Sequence, residues 1–133
     1  MKRLLTPGLA MLAGIAFGAI TAHRLHAQAL HAQATPPAYV ITELDMADKD
    51  AFLKDYAPLI PPTFQPFGGR YIVRGGTTVS FDGSAPKRIV VTAFDSMEKA
   101  KAWRASEAYK NVIPMLNQVV TSVRSYAVEG TTQ

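Results

Sequence analysis

Gly68-Gly69-Arg70-Tyr71-Ile72-Val73-Arg74-Gly75-Gly76 is the stretch on which the fold turns. Tyr71, Ile72 and Val73 are aromatic or β-branched, the residue types that fit a pleated surface, so Arg70 to Arg74 reads as a short strand. A glycine pair stops it at each end. Downstream, Asp82-Gly83-Ser84-Ala85-Pro86 is a turn by composition, and Thr77 to Phe81 before it can extend the strand or pair with it. Arg88 to Phe94 is the next strand. Upstream, Ala38 to Leu44 reads as the first strand, and Val123 to Val128 near the end reads as the last.

Two helical regions separate these strands. Asp48 caps a helix starting near Lys49, with Phe52 and Tyr56 one turn apart on one face. Pro58, Pro61 and Pro62 break or kink it, and Pro62 can restart a short turn. In the second region Asp95 or Ser96 caps a helix over Met97 to Arg104, with Ala100 and Trp103 on one face. Ser106 caps a further piece through Tyr109, Val112 and Ile113. Pro114 interrupts it, and Met115 to Thr121 resumes as helix. The order β-α-β-β-α-β predicts an α+β, ferredoxin-like sandwich: an antiparallel four-stranded sheet with helices on one face. The other face is bare in a single chain, and an apolar bare face is a liability. The expected remedy is a homodimer whose two sheets enclose a common interior.

The chain carries its three histidines, His23, His26 and His31, within the first 31 residues, and it has no cysteine. They sit beside a leader. Lys2 and Arg3 begin it, Leu4 to Ala22 is uncharged, and Ala27-Gln28-Ala29 and Ala32-Gln33-Ala34 each resemble a small-residue cleavage site. That three-part order is a secretory signal peptide; an uncleaved membrane anchor is the alternative. Leu25-His26-Ala27-Gln28-Ala29 recurs at once as Leu30-His31-Ala32-Gln33-Ala34, a small duplication rather than a metal-binding tract. Residues 1–34 are therefore expected to be leader and 35–133 one domain, placed in the periplasm or secreted. A cleaved product lacks imidazole and thiol, which removes most of the usual nucleophiles, bases and transition-metal ligands. No metal or other cofactor is expected, and a His-ligated haem is disfavoured.

The leader holds Lys2, Arg3 and Arg24 and no acidic residue, so the remaining 11 basic and 10 acidic residues leave the domain at +1. Such a balance gives no electrostatic reason for nucleic-acid binding. Membrane contact is expected only through an uncleaved leader. Gly75-Gly76 is a turn and not a phosphate loop, because no lysine or helix start follows. Asp48 and Asp50 are too sparse for a calcium loop.

The glycine-flanked strand resembles the corresponding strand of the domain of unknown function 1330 family. Ala38-Tyr39-Val40-Ile41, Phe94-Asp95-Ser96, Ala102-Trp103, Ser106-x-x-Tyr109 and Val128-Glu129-Gly130 resemble other parts of it. The family is similar to dimeric α/β-barrel proteins, which include cofactor-free monooxygenases, isomerases and haem enzymes. The resemblance implies this fold and a dimer, and no particular activity. Two positions depart from it. Relatives often carry arginine where this chain has Leu116, and arginine directly after the serine matching Ser122, where it has Val123 and then Arg124.

Strand alternation assigns faces. Arg70, Ile72 and Arg74 oppose Tyr71 and Val73. Tyr39, Ile41 and Glu43 oppose Val40, Thr42 and Leu44. Arg88, Val90 and Thr92 oppose Ile89, Val91 and Ala93. The polar sets are expected together, away from the helices, lining the interior between two subunits; a single bulge would reverse this. The ligand-binding candidates are Glu43, Arg70, Tyr71, Arg74, Trp103 and Tyr109. Arg70 and Arg74 can grip a carboxylate in bidentate fashion. Glu43 can balance one of them, or act as a base if burial raises its pKa. Tyr71 and Tyr109 can donate to a carbonyl or oxyanion, and Trp103 offers an apolar wall. Each has a plainer role: an Arg70–Glu43 ion pair, strand packing for Tyr71, helix packing for Trp103 and Tyr109. The expected function is a small dimeric domain holding an apolar or carboxylated molecule between sheet and helices, or serving only a partner protein. The alternative is a cofactor-independent enzyme, a monooxygenase or isomerase, by analogy of fold.

Overall fold

The computed structural model describes residues 34–132. The leader, its histidines and its cleavage motifs lie outside the described residues. Four strands, β1 (Ala38–Met46), β2 (Arg70–Arg74), β3 (Arg88–Phe94) and β4 (Val120–Glu129), form one sheet in the order β2-β3-β1-β4. Every neighbouring pair is antiparallel. With helical segments after β1 and β3, this is the ferredoxin-like α+β arrangement that the element order predicts. Between β2 and β3 the chain forms no further strand, so Thr77 to Phe81 is loop. β4 begins at Val120 rather than Val123, because pairing with β1 continues past a bulge at Asp45/Met46.

The first helical region runs as a series of short turns: α1 (Lys49–Ala51), a π turn (Phe52–Tyr56), a 3-10 turn (Ala57–Leu59), α2 (Pro61–Phe64) and a second 3-10 turn (Gln65–Phe67). The Asp48 carboxylate accepts from the Ala51 N–H at 2.9 Å, capping the start. Proline accounts for the changes of pitch. Pro58 has no N–H for the carbonyl four residues back, and its ring crowds that turn. Widening the turn just upstream relieves both. The Ala57 N–H donates to the Phe52 carbonyl across five residues, and the rings of Phe52 and Tyr56 meet at 5.3 Å. Gly68 ends the region in the left-handed conformation, at φ 74°. Gly69 follows where a β-carbon would come within 2.9 Å of the Phe64 side chain. The second region comprises α3 (Met97–Ala105), α4 (Glu107–Lys110) and α5 (Ile113–Val119), with Ser96 and Ser106 capping the first two.

The core lies between sheet and helices. Ala38, Val40 and Leu44 of β1 and Phe94 of β3 pack under Phe52, Phe64, Trp103 and Leu116. Trp103 stacks on Phe94 at 5.4 Å and meets Phe64 and Tyr109 edge-on at 6.0 and 4.9 Å. Its indole N–H donates to Thr63 Oγ1 at 2.9 Å, and that hydroxyl donates to the Ile60 carbonyl at 2.7 Å. The chain tethers the broken first region to α3.

The sheet's other face carries Tyr39, Ile41, Val91, Val73, Tyr126 and Val128, and no described helix covers it. Val73, Tyr126 and Val128 are 40%, 44% and 46% exposed. The polar sets expected together on this face are in fact divided. Arg70 pairs with Ala93 and Tyr71 with Thr92, but Val73 pairs with Val91 and Arg74 with Val90. Ile72 is therefore an extra residue, a bulge, and beyond it the alternation reverses. Arg70 and Glu43 stay on the open face. Arg74 turns to the helix side with Arg88, Val90 and Thr92.

Thr63→Val keeps the volume near Trp103 but leaves the buried indole N–H without its acceptor. It should lower unfolding stability by about 1–3 kcal/mol, read as a shift in urea midpoint at constant m-value. An unmoved midpoint would show that the tether carries no weight.

Candidate functional site

A cavity of about 210 Å³ lies between the sheet and the helices. Its floor is built by alternating side chains of the sheet, Thr42 and Leu44 from β1, Val90 and Thr92 from β3 and Ser125 from β4. Thr42 and Ser125 are cross-strand partners, and their hydroxyls meet at 2.9 Å. Phe52, Tyr56 and Ile60 close it from the proline-broken region, and Trp103, Tyr109 and Leu116 from the second. The π turn has a direct consequence here, since it sets Phe52 and Tyr56 side by side on the cavity wall.

Three guanidinium groups reach this space, from Arg74, Arg88 and Arg104, and its lining holds no aspartate or glutamate. The ion pairs among the described residues lie elsewhere: Arg70–Asp95 (3.4 Å), Lys99–Asp95 (2.9 Å), Lys110–Glu107 (2.8 Å) and Arg124–Glu43 (2.6 Å). The three cavity arginines therefore have no carboxylate partner among the described residues. Each is instead laid against rings: Arg74 over Tyr71 at 5.1 Å, Arg88 over Phe52 at 5.4 Å and Arg104 over Tyr109 at 4.2 Å. Cation–π contact offsets part of the desolvation but leaves the donors available.

Arg88 is the most enclosed of the three. Its Nη2 donates to the Arg74 carbonyl at 3.2 Å, and its buried Nε finds no partner. Gly75 makes this possible. At φ 74° it suits the conformation, and a β-carbon there would stand 2.5 Å from Arg88 Nη1. The glycine pair after β2 thus ends the strand and makes room for a guanidinium. On the far side Arg104 Nη1 donates to the Tyr109 hydroxyl, and burial lowers its pKa from the usual arginine value. Burial likewise pushes the Tyr56 phenol well up, and raises that of Tyr71. Both remain protonated at neutral pH and so can donate. The cavity is apolar in body and donor-rich at its edges, with no carboxylate, imidazole or thiol in its lining to serve as a base.

Of the residues singled out from sequence, Tyr71, Arg74, Trp103 and Tyr109 line this cavity. Glu43 and Arg70 do not. Glu43 lies on the open face and pairs with Arg124, not Arg70, through Nε at 3.0 Å and Nη2 at 2.6 Å. Hydrogen bonds from Tyr126 first and Arg124 second hold its carboxyl below the usual range, the reverse of what a base needs. Arg70 bonds Asp95 at the surface. Arg88, Arg104 and Tyr56, with Thr42, Thr92, Asn117 and Ser125, are the polar lining residues outside the candidates drawn from sequence. A signal existed for Arg88, an arginine opening a strand that must pair beside a glycine turn; Arg104 looks like any solvated helix cation. Leu116 and Val123, the two departures from the family pattern, both line the cavity, so this chain keeps apolar side chains where relatives often place arginine.

The comparisons agree with this fold. None of the curated proteins matches the chain. A protein of unknown function from Rhodopseudomonas palustris has a similar structure, with TM-score 0.59 at 14% identity, covering 83% of this chain and 94% of its own. A dimeric ferredoxin-like protein of unknown function from Bacteroides fragilis aligns with TM-score 0.50 at 12% identity, over 71% and 96%. Another dimeric ferredoxin-like protein, from Thermobifida fusca, aligns with TM-score 0.50 at 9% identity, over 71% and 92%. At such identities the likeness is one of fold. The family model described as a domain of unknown function, DUF1330, matches residues 37–131. The chain belongs to that family.

Proposed function

We propose that this domain is exported and acts as a homodimer that binds a small, apolar-bodied carboxylate in the cavity between its sheet and helices. The observation that carries the reading is the set of three arginines without a carboxylate partner around an otherwise apolar space. A guanidinium binds a carboxylate through two parallel hydrogen bonds, and a pocket with few, convergent polar groups is the usual form of a small-molecule site. The volume suits a small ligand. At about 30 Å³ per water it would hold about seven waters, room for one substituted ring.

Two further supports concern the assembly. The open sheet face is apolar and uncovered, and solved structures of similar fold are described as dimeric. A second copy, meeting the first through the same patch, would cover that face on both chains. Export rests on the leader: a positive start, an uncharged apolar stretch and two small-residue cleavage motifs.

Native mass spectrometry on protein from the periplasm should give twice the mass of a chain cut after Ala29 or Ala34. A cytoplasmic, full-length or monomeric species would overturn the corresponding part. Val128→Asp, an exposed position on the open face, should leave the far-UV spectrum unchanged and weaken the dimer at least tenfold by sedimentation. A dimer of unaltered strength would place the interface elsewhere.

Ligand binding is tested by thermal shift with a panel of organic acids. An acid at one hundred times its Kd should add about 2.7 kcal/mol of stability and raise Tm by about 10–20 °C. The double variant Arg74→Gln, Arg88→Gln should lose that rise. Equal shifts in both proteins would refute the carboxylate site.

A further inference from the structure

The cations of the cavity are placed as two poles. Arg74 and Arg88 come from β2 and β3, at one edge of the sheet, and are joined by the hydrogen bond from Arg88 Nη2 to the Arg74 carbonyl. Arg104 comes from α3, which packs over β1, β4 and β3. It borders Ser125 and Ala127 of β4 in an adjoining crevice as well as the cavity itself. Three strand spacings of about 4.8 Å separate the β2 and β4 backbones by about 14 Å. Burial is the main cause that raises both phenols; beyond it Tyr71 feels the charges of Arg74 and Arg88, while Tyr56 feels Tyr71 and then Arg104, which makes Tyr56 the link between the two ends. Apolar wall lies between, formed by Phe52, Val90, Trp103 and Leu116.

The poles differ in chemistry. Arg74 and Arg88 lie on paired strands, with the Arg88 guanidinium bonded to the Arg74 backbone carbonyl and no phenol hydroxyl bonded to either guanidinium, and the buried Nε of Arg88 lacks an acceptor among the described residues. That end calls for an anion. At the other end Arg104 Nη1 already donates to the Tyr109 oxygen, which leaves the tyrosine's own O–H to donate onward. A single neutral oxygen satisfies this end, and a hydrogen-bond donor polarised by an adjacent cation strengthens the contact.

We propose that the ligand has two oxygen functions at opposite ends of one apolar body: a carboxylate taken by Arg74 and Arg88, and a hydroxyl or carbonyl oxygen taken by Tyr109 and Arg104. This rests on the carboxylate site proposed above and specifies its ligand class as hydroxyaryl or oxo acids of about one ring. The arrangement selects against acids with a bare hydrocarbon end, because binding them would bury the Tyr109 O–H without an acceptor for its proton. Sites built to bond a ligand hydroxyl reject the analogue lacking it far more strongly than a site that merely tolerates it.

The test is calorimetry on the mature protein with matched pairs differing only in the distal hydroxyl: 4-hydroxybenzoate against benzoate, 4-hydroxyphenylacetate against phenylacetate, and 6-hydroxy-2-naphthoate against 2-naphthoate. In at least one pair the hydroxy acid should bind at least tenfold more tightly. Arg104→Gln and, separately, Tyr109→Phe should bring that ratio to within about twofold, Tyr109→Phe in part by tightening the plain acid, which no longer buries a phenol O–H. Arg88→Gln should weaken both members alike and keep the ratio. Equal binding within every pair, or a ratio that survives both Arg104→Gln and Tyr109→Phe, overturns the two-pole assignment and leaves the carboxylate site standing. Failure of all six acids to bind the wild type overturns both.

Discussion

The hydrogen bond from the Trp103 indole to Thr63 holds together parts of the chain that have little else to keep them in register. A helix broken at Pro58, Pro61 and Pro62 cannot rely on its own backbone ladder, and its turns shift pitch four times between Lys49 and Phe67. Propensity contributes little to such a segment, so packing must position it. Trp103 supplies that packing from α3. Its rings contact Phe64, Phe94 and Tyr109, and its N–H reaches Thr63, whose own proton goes to the Ile60 carbonyl. A buried indole N–H without an acceptor is costly, so the two helical regions are locked in one arrangement. The cavity wall inherits that rigidity, since Phe52, Tyr56 and Ile60 all belong to the tethered segment.

The fold was legible because its signals are local. β-branched runs mark the strands, and Asp48, Ser96 and Ser106 each cap the helix that their positions suggest. The β-α-β-β-α-β order then leaves few topologies. The site was only partly legible. Tyr71, Arg74, Trp103 and Tyr109 line the cavity, but strand alternation read from sequence puts Arg74 with Arg70 and Glu43 on the face away from the helices, which holds only if β2 is unbroken. Arg-Tyr-Ile-Val-Arg gives no hint of where a bulge falls, because each residue suits a strand on either face. Arg88 and Arg104 were missed for a related reason. What makes them cavity residues is non-local: the open space over Gly75 for one, the ring of Tyr109 for the other.

The bulge at Ile72 also divides the work of the sheet. Were β2 regular, Arg74 would share the open face with Arg70, adding a cation to a surface that is otherwise mostly apolar. Reversal beyond Ile72 sends Val73 to that face and Arg74 to the cavity. One inserted residue thus makes the open side more apolar and the inner side more basic. Bulges are common where a strand must re-aim a side chain next to a functional site, and here a single one serves both faces.

The distribution of charge follows the same division. On the open face Glu43, Arg124 and Tyr126 satisfy one another, with the phenol donating to Glu43 at 2.9 Å. Such a closed set can be covered by another surface without stranding a charge. In the cavity the opposite holds: arginines and phenols line it, and no carboxylate does. A protein that needed these arginines only for stability would gain from pairing them, because a cation held against rings away from an anion forgoes Coulomb energy. On the proposed reading a bound carboxylate supplies the missing anion, and the apolar walls of the cavity set the body that such a ligand carries.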